Sequence, residues 1–292
     1  YGHTEFYYGQ LDACIQRDGR AVEMSQEIGD PRAAAYAGYC LIFSYQGKGD
    51  HEGALGAANM RLSAAEEARH RSSLLSSLGV SAALAICRGE WDQALELIAR
   101  GLELNESAMD LLAYRYLINL STGESSSADD DWNRLQELID EGARVGLASE
   151  AALLSAASIT GTPRGLQAVR RSAQAVMGRD NRLPLVTVEA TAVLCGIAVA
   201  EKDAETAGIY YSQLAEVALL NPMQYVLFME RVLGMTAVLL GDAEKAIHHF
   251  ERALEFCRNS GYRPELAWSC AAYADLLLDR GRPGDREKAT QL

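Results

Sequence analysis

Along this chain, apolar segments are broken by charge every few positions, and short turns cut them into lengths that suit helices. One kind of turn recurs: a glycine, then an acidic residue, with an alanine five positions after the glycine. It appears as Gly49-Asp50 with Ala54, Gly89-Glu90 with Ala94, and Gly241-Asp242 with Ala246. A glycine-free version is Lys202-Asp203 with Ala207. Ala54 and Ala94 are 40 residues apart, and Ala207 and Ala246 are 39 apart, which defines a repeat period. The glycine supplies the left-handed conformation that ends one helix, and the acidic residue caps or charges the amino end of the next. The alanine falls one turn into the second helix, where the two helices cross closely. Its expected partners lie seven residues before the turn: Ile42, Ala82, Cys195 and Gly234, three of them small enough to let backbones approach.

Reading outward from these turns predicts seven helical hairpins and the first helix of an eighth. The first pairs Thr4–Gln16 with Arg20–Ile28, and the second Arg32–Gln46 with Glu52–His70. The third is Ser72–Arg88 with Trp91–Asn105. The fourth is Ser107–Ser121 with Asp130–Val145, across a longer connection rich in Ser and Asp. Ser149–Ile159 with Arg164–Met177 is the shortest. Pro184–Glu201 with Ala204–Leu219 and Met223–Leu240 with Ala243–Asn259 follow, and Glu265–Arg280 closes the array without a complete partner. The expected architecture is all-α, a single right-handed solenoid of antiparallel hairpins over residues 1–292 with no sheet. Gly178–Leu183 is its weakest joint.

The segment Leu233-Gly234-x-x-Ala237, Gly241-Asp242, Ala246, Phe250, Ala253-Leu254 resembles a tetratricopeptide repeat, with Ala237 in place of the usual first-helix aromatic. Gly89-Glu90-Trp91 through Ala94, Ile98 and Leu102 is a looser match. A period near 40 resembles the lengthened repeats in the carboxy-terminal helical tails of bacterial STAND-type ATPase regulators. Adenylate or guanylate cyclases with ATPase and repeat modules carry similar tails. Gly281-Arg282-Pro283-Gly284-Asp285 is similar to a turn near the end of such tails. The chain opens at Tyr1 and stops at Leu292 in mid-pattern, so it is expected to be a piece of a larger protein.

The resemblance implies a function as well as a fold. In tetratricopeptide families the first helix of each hairpin lines a concave groove, at the second, fifth, ninth and twelfth repeat positions. Transferred here, those positions are Tyr36, Tyr39, Phe43 and Gln46 in the second hairpin. In the seventh they are Phe228, Arg231, Met235 and Val238, and in the last helix Trp268, Ala271, Asp275 and Leu278. The central positions are smaller: Ser76, Gly79, Ala83 and Ile86, then Glu189, Ala192, Gly196 and Val199. The binding candidates are therefore Tyr36, Tyr39, Phe43, Phe228, Arg231, Met235 and Trp268: aromatic ends on a small-residue trough, with Arg231 to orient an acidic group. Spacings of three, four and seven place each aromatic set on one helix face without the family comparison. An apolar helix, an extended peptide or another domain of the parent would suit such a groove. The alternative is a small-molecule sensor that encloses its ligand there.

Composition narrows the rest. The net charge is −13, and no Lys/Arg cluster is dense enough for phosphates, so neither nucleic acid nor an anionic membrane is expected as a partner. The most apolar stretch, Val186–Ala200, contains Glu189 and is too short to span a bilayer. Six cysteines, Cys14, Cys40, Cys87, Cys195, Cys257 and Cys270, form no CxxC pair and read as buried core in a reducing, cytoplasmic compartment. No P-loop, G-x-S-x-G elbow or HExxH occurs. His248 and His249 are adjacent and point about a hundred degrees apart on a helix, which does not suit one metal. Asp129-Asp130-Asp131 lacks the alternating ligands and distal Glu of a calcium loop. No catalytic residue, cofactor or metal is expected, and the role is that of an interaction or sensor scaffold in a signalling protein.

Overall fold

The computed structural model describes residues 2–161, 164–180, 183–214, 223–224 and 226–292. Its helices are α1 (Gly2–Tyr7), α2 (Leu11–Glu27), α3 (Pro31–Gly47), α4 (His51–Glu67), α5 (Arg71–Arg88), α6 (Trp91–Leu104), α7 (Met109–Thr122) and α8 (Ser125–Asp140). After them come α9 (Leu147–Thr160), α10 (Leu166–Met177), α11 (Pro184–Ala200), α12 (Ala204–Leu214), α13 (Met229–Leu239), α14 (Ala243–Ser260), α15 (Arg263–Arg280) and α16 (Asp285–Gln291). They pack as eight sequential pairs, an all-α array of hairpins. The last five residues of the twelfth expected helix, 215–219, lie outside the described residues.

The turns behave as their residues require. Gly49, Gly89 and Gly241 take φ of +75°, +70° and +75°, and Lys202 adopts +58° without glycine's freedom. The following amide then reaches back five residues: Asp50 to Tyr45, Glu90 to Ala85, Asp203 to Ala198 and Asp242 to Ala237. The Asp50, Asp203 and Asp242 carboxylates accept from the Gly53, Thr206 and Lys245 amides, while Glu90 makes no such bond. The alanines Ala54, Ala94, Ala207 and Ala246 are completely buried. Cys195 Sγ sits 3.9 Å from the Ala207 carbonyl, the expected crossing partner. Gly234 instead makes room for Phe250, whose ring would lie 2.8 Å from any Cβ there.

Three expectations need correction. The first turn falls at Tyr8–Gln10, with Gly9 at φ +74°, and α2 runs unbroken through Arg17–Gly19. Cys14, Asp18 and Val22 lie one turn apart and all face inward, so helix continuity there serves the core. The Ser-rich connection before Asp130 is helical from Ser125, because Ala128 and Asp131 are both buried. Finally, Met223–Gln224 and Val226–Phe228 are not helix. Met223–Gln224 (β1) pairs antiparallel with Leu227–Phe228 (β2), a two-residue ladder and the one sheet among the described residues. The Val226 carbonyl accepts a hydrogen bond from Ser155 on α9 at 3.1 Å, which ties this turn to the hairpin array.

The array returns on itself. The α14–α15 junction packs on the α3–α4 and α5–α6 turns: Phe256 and Ser260 against Gly49, Pro264 against Gly89, and Tyr262 edge-on to His51 with centroids 5.7 Å apart. Arg263 donates to the Arg88 carbonyl at 2.8 Å. Across the interior, α1 touches α11 and α3 touches β1. The inward face is therefore largely a shared core.

Candidate functional site

The expected groove residues divide sharply once this closure is seen. Along α3 they grade from outside to inside. Tyr36 is 70 % exposed, Tyr39 half-buried, and Phe43 wholly buried against Phe6 and Tyr39. Phe228 belongs to β2 rather than to a helix and is fully buried against Phe256, 5.3 Å between centroids. As exposed anchors, Phe43 and Phe228 are corrected to core, because Phe6 of α1 covers the first and Phe256 of α14 the second. On α15, Trp268 is half-buried while Ala271, Asp275 and Leu278 face outward.

Arg231, Met235 and Trp268 do come together. Arg231 Nε lies 2.5 Å from Glu265 Oε1, its Nη1 donates to Ser158 at 2.9 Å, and its guanidinium stands 5.5 Å over the Trp268 ring. Met235 Sδ is 3.9 Å from Arg231 Nη1. Burial pushes the Glu265 carboxyl up and the Arg231 charge pulls it partway back. Arg231 was expected to be the cation that orients a partner's acid; instead it is 3 % exposed and neutralised from within the chain. Beside it is a cavity of about 150 Å³ between α9, α11 and α13, lined by Leu154, Gly196, Val199, Val232 and Met235, with Ser158 and Arg231 as its polar groups.

A larger and more polar cleft, about 440 Å³, crosses α3, α5, α7 and α9, the first helices of four consecutive hairpins. Tyr39 forms one wall, Ser76 and Gly79 the floor, and Asp110 and Arg144 the far side. Its edges are fixed by side chains that are themselves held. Arg61 lies 5.1 Å over the Tyr39 ring and donates to the Ala35 carbonyl, Ser76 and Ser77, and Ser149 donates to Asp110 at 2.5 Å. Ser76 and Gly79 were read as groove positions from the repeat register, whereas Asp110 and Arg144 were missed. Arg144 lies just before α9, where no helical register applies.

Two buried polar clusters involve residues given other roles from the sequence, Glu189 as a groove position and His249 as an unsuited metal ligand. Glu150 on α9 and Glu189 on α11 are buried acids, and neither Glu189 oxygen has a hydrogen-bond partner among the described residues. Burial raises Glu150 to about 7, and burial with the nearby Glu150 charge holds Glu189 well above the carboxylate range. A lone acid inside the apolar run Val186–Ala200 was the available signal. Second, His249 Nδ1 lies 2.8 Å from Glu230 and its Nε2 2.8 Å from the Tyr211 hydroxyl, and Arg252 pairs with Glu230 at 2.8 Å. These bonds tie α12, α13 and α14 together.

Fold and cleft together define a helical-hairpin repeat array with an inward polar cleft. No protein-family model matches the chain, and no curated protein matches it. Among solved structures it is similar to a tetratricopeptide repeat protein from Parabacteroides merdae ATCC 43184. The identity is 12%, the alignment covers 85% of this chain and 94% of that one, and the TM-score is 0.37. That likeness is loose, and the architecture stands on the chain's own helix pairing. Among the described residues no helix is long and apolar enough to cross a membrane.

Proposed function

We propose that the chain is a non-catalytic recognition scaffold that holds a peptide or helix of a partner protein, or a neighbouring domain of its parent, in the α3/α5/α7/α9 cleft. The observation that carries this reading is an open 440 Å³ cleft on a face largely filled by the array's own side chains. Tyr39 offers a rigid aromatic wall, Gly79 exposes backbone, and Asp110 and Arg144 present opposite charges to a polar segment. The resemblance of the turns to those of bacterial regulator tails supports a place in a cytoplasmic signalling or transcription regulator. In a binding assay with the parent's other domains, Tyr39→Ala weakens the complex by about 2 kcal/mol, or roughly thirtyfold. Tyr36→Ala, outside the cleft, leaves it unchanged. Equal effects from both substitutions would refute the cleft as the site.

A second reading is favoured by the cavity beside Arg231. Its apolar lining and single polar corner suit a small apolar molecule with one hydrogen-bonding end. Ala157 of α9 also lines this cavity, and filling it with Ala157→Leu abolishes any ligand-induced thermal shift under this reading and leaves the shift intact under the first.

A further inference from the structure

Three helices at the amino end bring three metal-ligating side chains to one point, with a fourth, Cys14, against one of them. His3 stands on α1, Cys14 and Asp18 lie one turn apart on α2, and Cys40 is on α3. The donor atoms of His3, Asp18 and Cys40 all lie within 4.8 Å of one another. His3 Nδ1 is 3.2 Å from Asp18 Oδ2, and Cys14 Sγ is 3.5 Å from that same oxygen. We propose that His3, Cys14, Asp18 and Cys40 form a closed zinc(II) site that fastens α1 to α2 and α3.

The geometry is close to what such a site needs. Donors at about 2.0–2.3 Å from a tetrahedral zinc are about 3.3–3.8 Å from each other, so His3, Asp18 and Cys40 contract by little more than 1 Å on binding, and the Cys14 thiol turns in from its contact with Asp18 to take the fourth position. The donor set selects the metal class. Two thiols and an imidazole suit zinc, cobalt or copper(I), whereas calcium and magnesium require oxygen ligands.

The surroundings are arranged for ligation. Cys14 and Cys40 are completely buried and Asp18 is 5 % exposed. Gly2 packs on the other carboxylate oxygen so tightly that a Cβ there would lie 1.9 Å from Asp18 Oδ1, leaving Oδ2 turned to the cluster. The His3 ring is held flat against Tyr36, with centroids 4.4 Å apart and planes 4° from parallel, which fixes the imidazole's direction. A buried carboxylate that meets only an imidazole and a thiol among the described contacts lacks a full counter-charge, and a divalent cation supplies it. On binding, both thiols lose their protons to solvent as the two metal–sulfur bonds form. Because α1 also touches α11 across the interior, fastening α1 braces the closure of the array.

The test uses the tag-free full chain, purified under reductant and titrated with cobalt(II) and zinc(II). The site predicts one tightly held equivalent, a thiolate-to-cobalt charge-transfer band, and a thermal midpoint raised by zinc. Cys40→Ser and His3→Gln each weaken binding by more than about 100-fold. Cys257→Ser, at another fully buried cysteine, leaves it unchanged. His3 is only partly buried, so its variant keeps the chain folded even where Cys40→Ser does not. Absence of the charge-transfer band in the wild-type chain, or zinc affinity unaltered in folded His3→Gln, overturns the assignment.

Discussion

Glu150 is a carboxylic acid inside a helix packed on all sides, and its raised pKa of about 7 has a consequence for stability. Its ordinary value is 4.5, so between those two values the folded chain holds a proton that the unfolded chain releases. Folding is then linked to proton uptake, and stability contributed by this group falls as pH rises from 4.5 towards 7, then levels off. Glu150→Gln removes that slope and stabilises the protein above pH 7 by up to about 3 kcal/mol. Urea midpoints at pH 5 and pH 8 measure it: the variant's advantage must grow with pH, and a constant offset would show that Glu150 does not titrate in this range. The Arg231–Glu265 pair is the opposite case, two buried charges that answer each other. Arg231→Leu leaves Glu265 uncompensated and costs about 3–5 kcal/mol, while adding Glu265→Leu recovers most of the loss. If the double variant is no more stable than the single one, the pair is not the unit argued for here.

At the scale of elements, the turns explain which hairpins form cleanly. Lys202 occupies the left-handed position that glycine fills in the sister turns, at φ +58°. A side chain there costs about 1 kcal/mol, so Lys202→Gly stabilises the α11–α12 hairpin by up to that amount. An unchanged thermal midpoint would place the strain elsewhere. The last hairpin behaves differently from the unpartnered helix that its sequence suggests. Tyr273 and Leu277 of α15 are buried, α16 packs beside them, Lys288 lies 5.0 Å over the Tyr273 ring, and Arg280 grips Asp285 at 2.6 Å. Seven residues of helix, added to α14 and α5, supply the cover that α15 needs. Hydrogen exchange will therefore show α15 protected in the whole chain, and deletion of residues 285–292 will speed exchange in its second half. Fast exchange in both proteins would mean that α16 does not cap the array.

For the whole molecule, the closing contact matters most. A simple repeat array is held by nearest-neighbour interfaces, so damage stays local. Here Tyr262 between α14 and α15 is completely buried against His51 and Phe256, more than two hundred residues of chain apart at one side. Tyr262→Ala therefore loosens α3–α6 as well as α14 and α15, at a cost of about 3–5 kcal/mol. Exchange that rises only in the last two hairpins would show an open array instead. The same closure buries Phe228 against Phe256, whereas α1 buries Phe43, and the α3/α5/α7/α9 cleft stays open on the inward face.

What the sequence determined by itself is what local chemistry controls. Glycine and aspartate at a fixed period set where helices end and begin, and fully buried alanines at the crossings set which helices pair, so the order of hairpins was legible. Where local signals were weak, at Arg17–Gly19 and at Met223–Phe228, the outcome rested on partners far along the chain: the inward stripe of Cys14, Asp18 and Val22, and the Ser155 hydroxyl beneath Val226. Helical periodicity gives each side chain a face but not what stands opposite that face. That is why Tyr36, Tyr39 and Phe43 share one stripe in sequence yet run from solvent to core in the fold. Only the packing of α1 on α3, and of α14 on β2, decided which aromatics are buried. The meeting of donors from α1, α2 and α3 was likewise a tertiary fact, because no spacing within one helix could announce it.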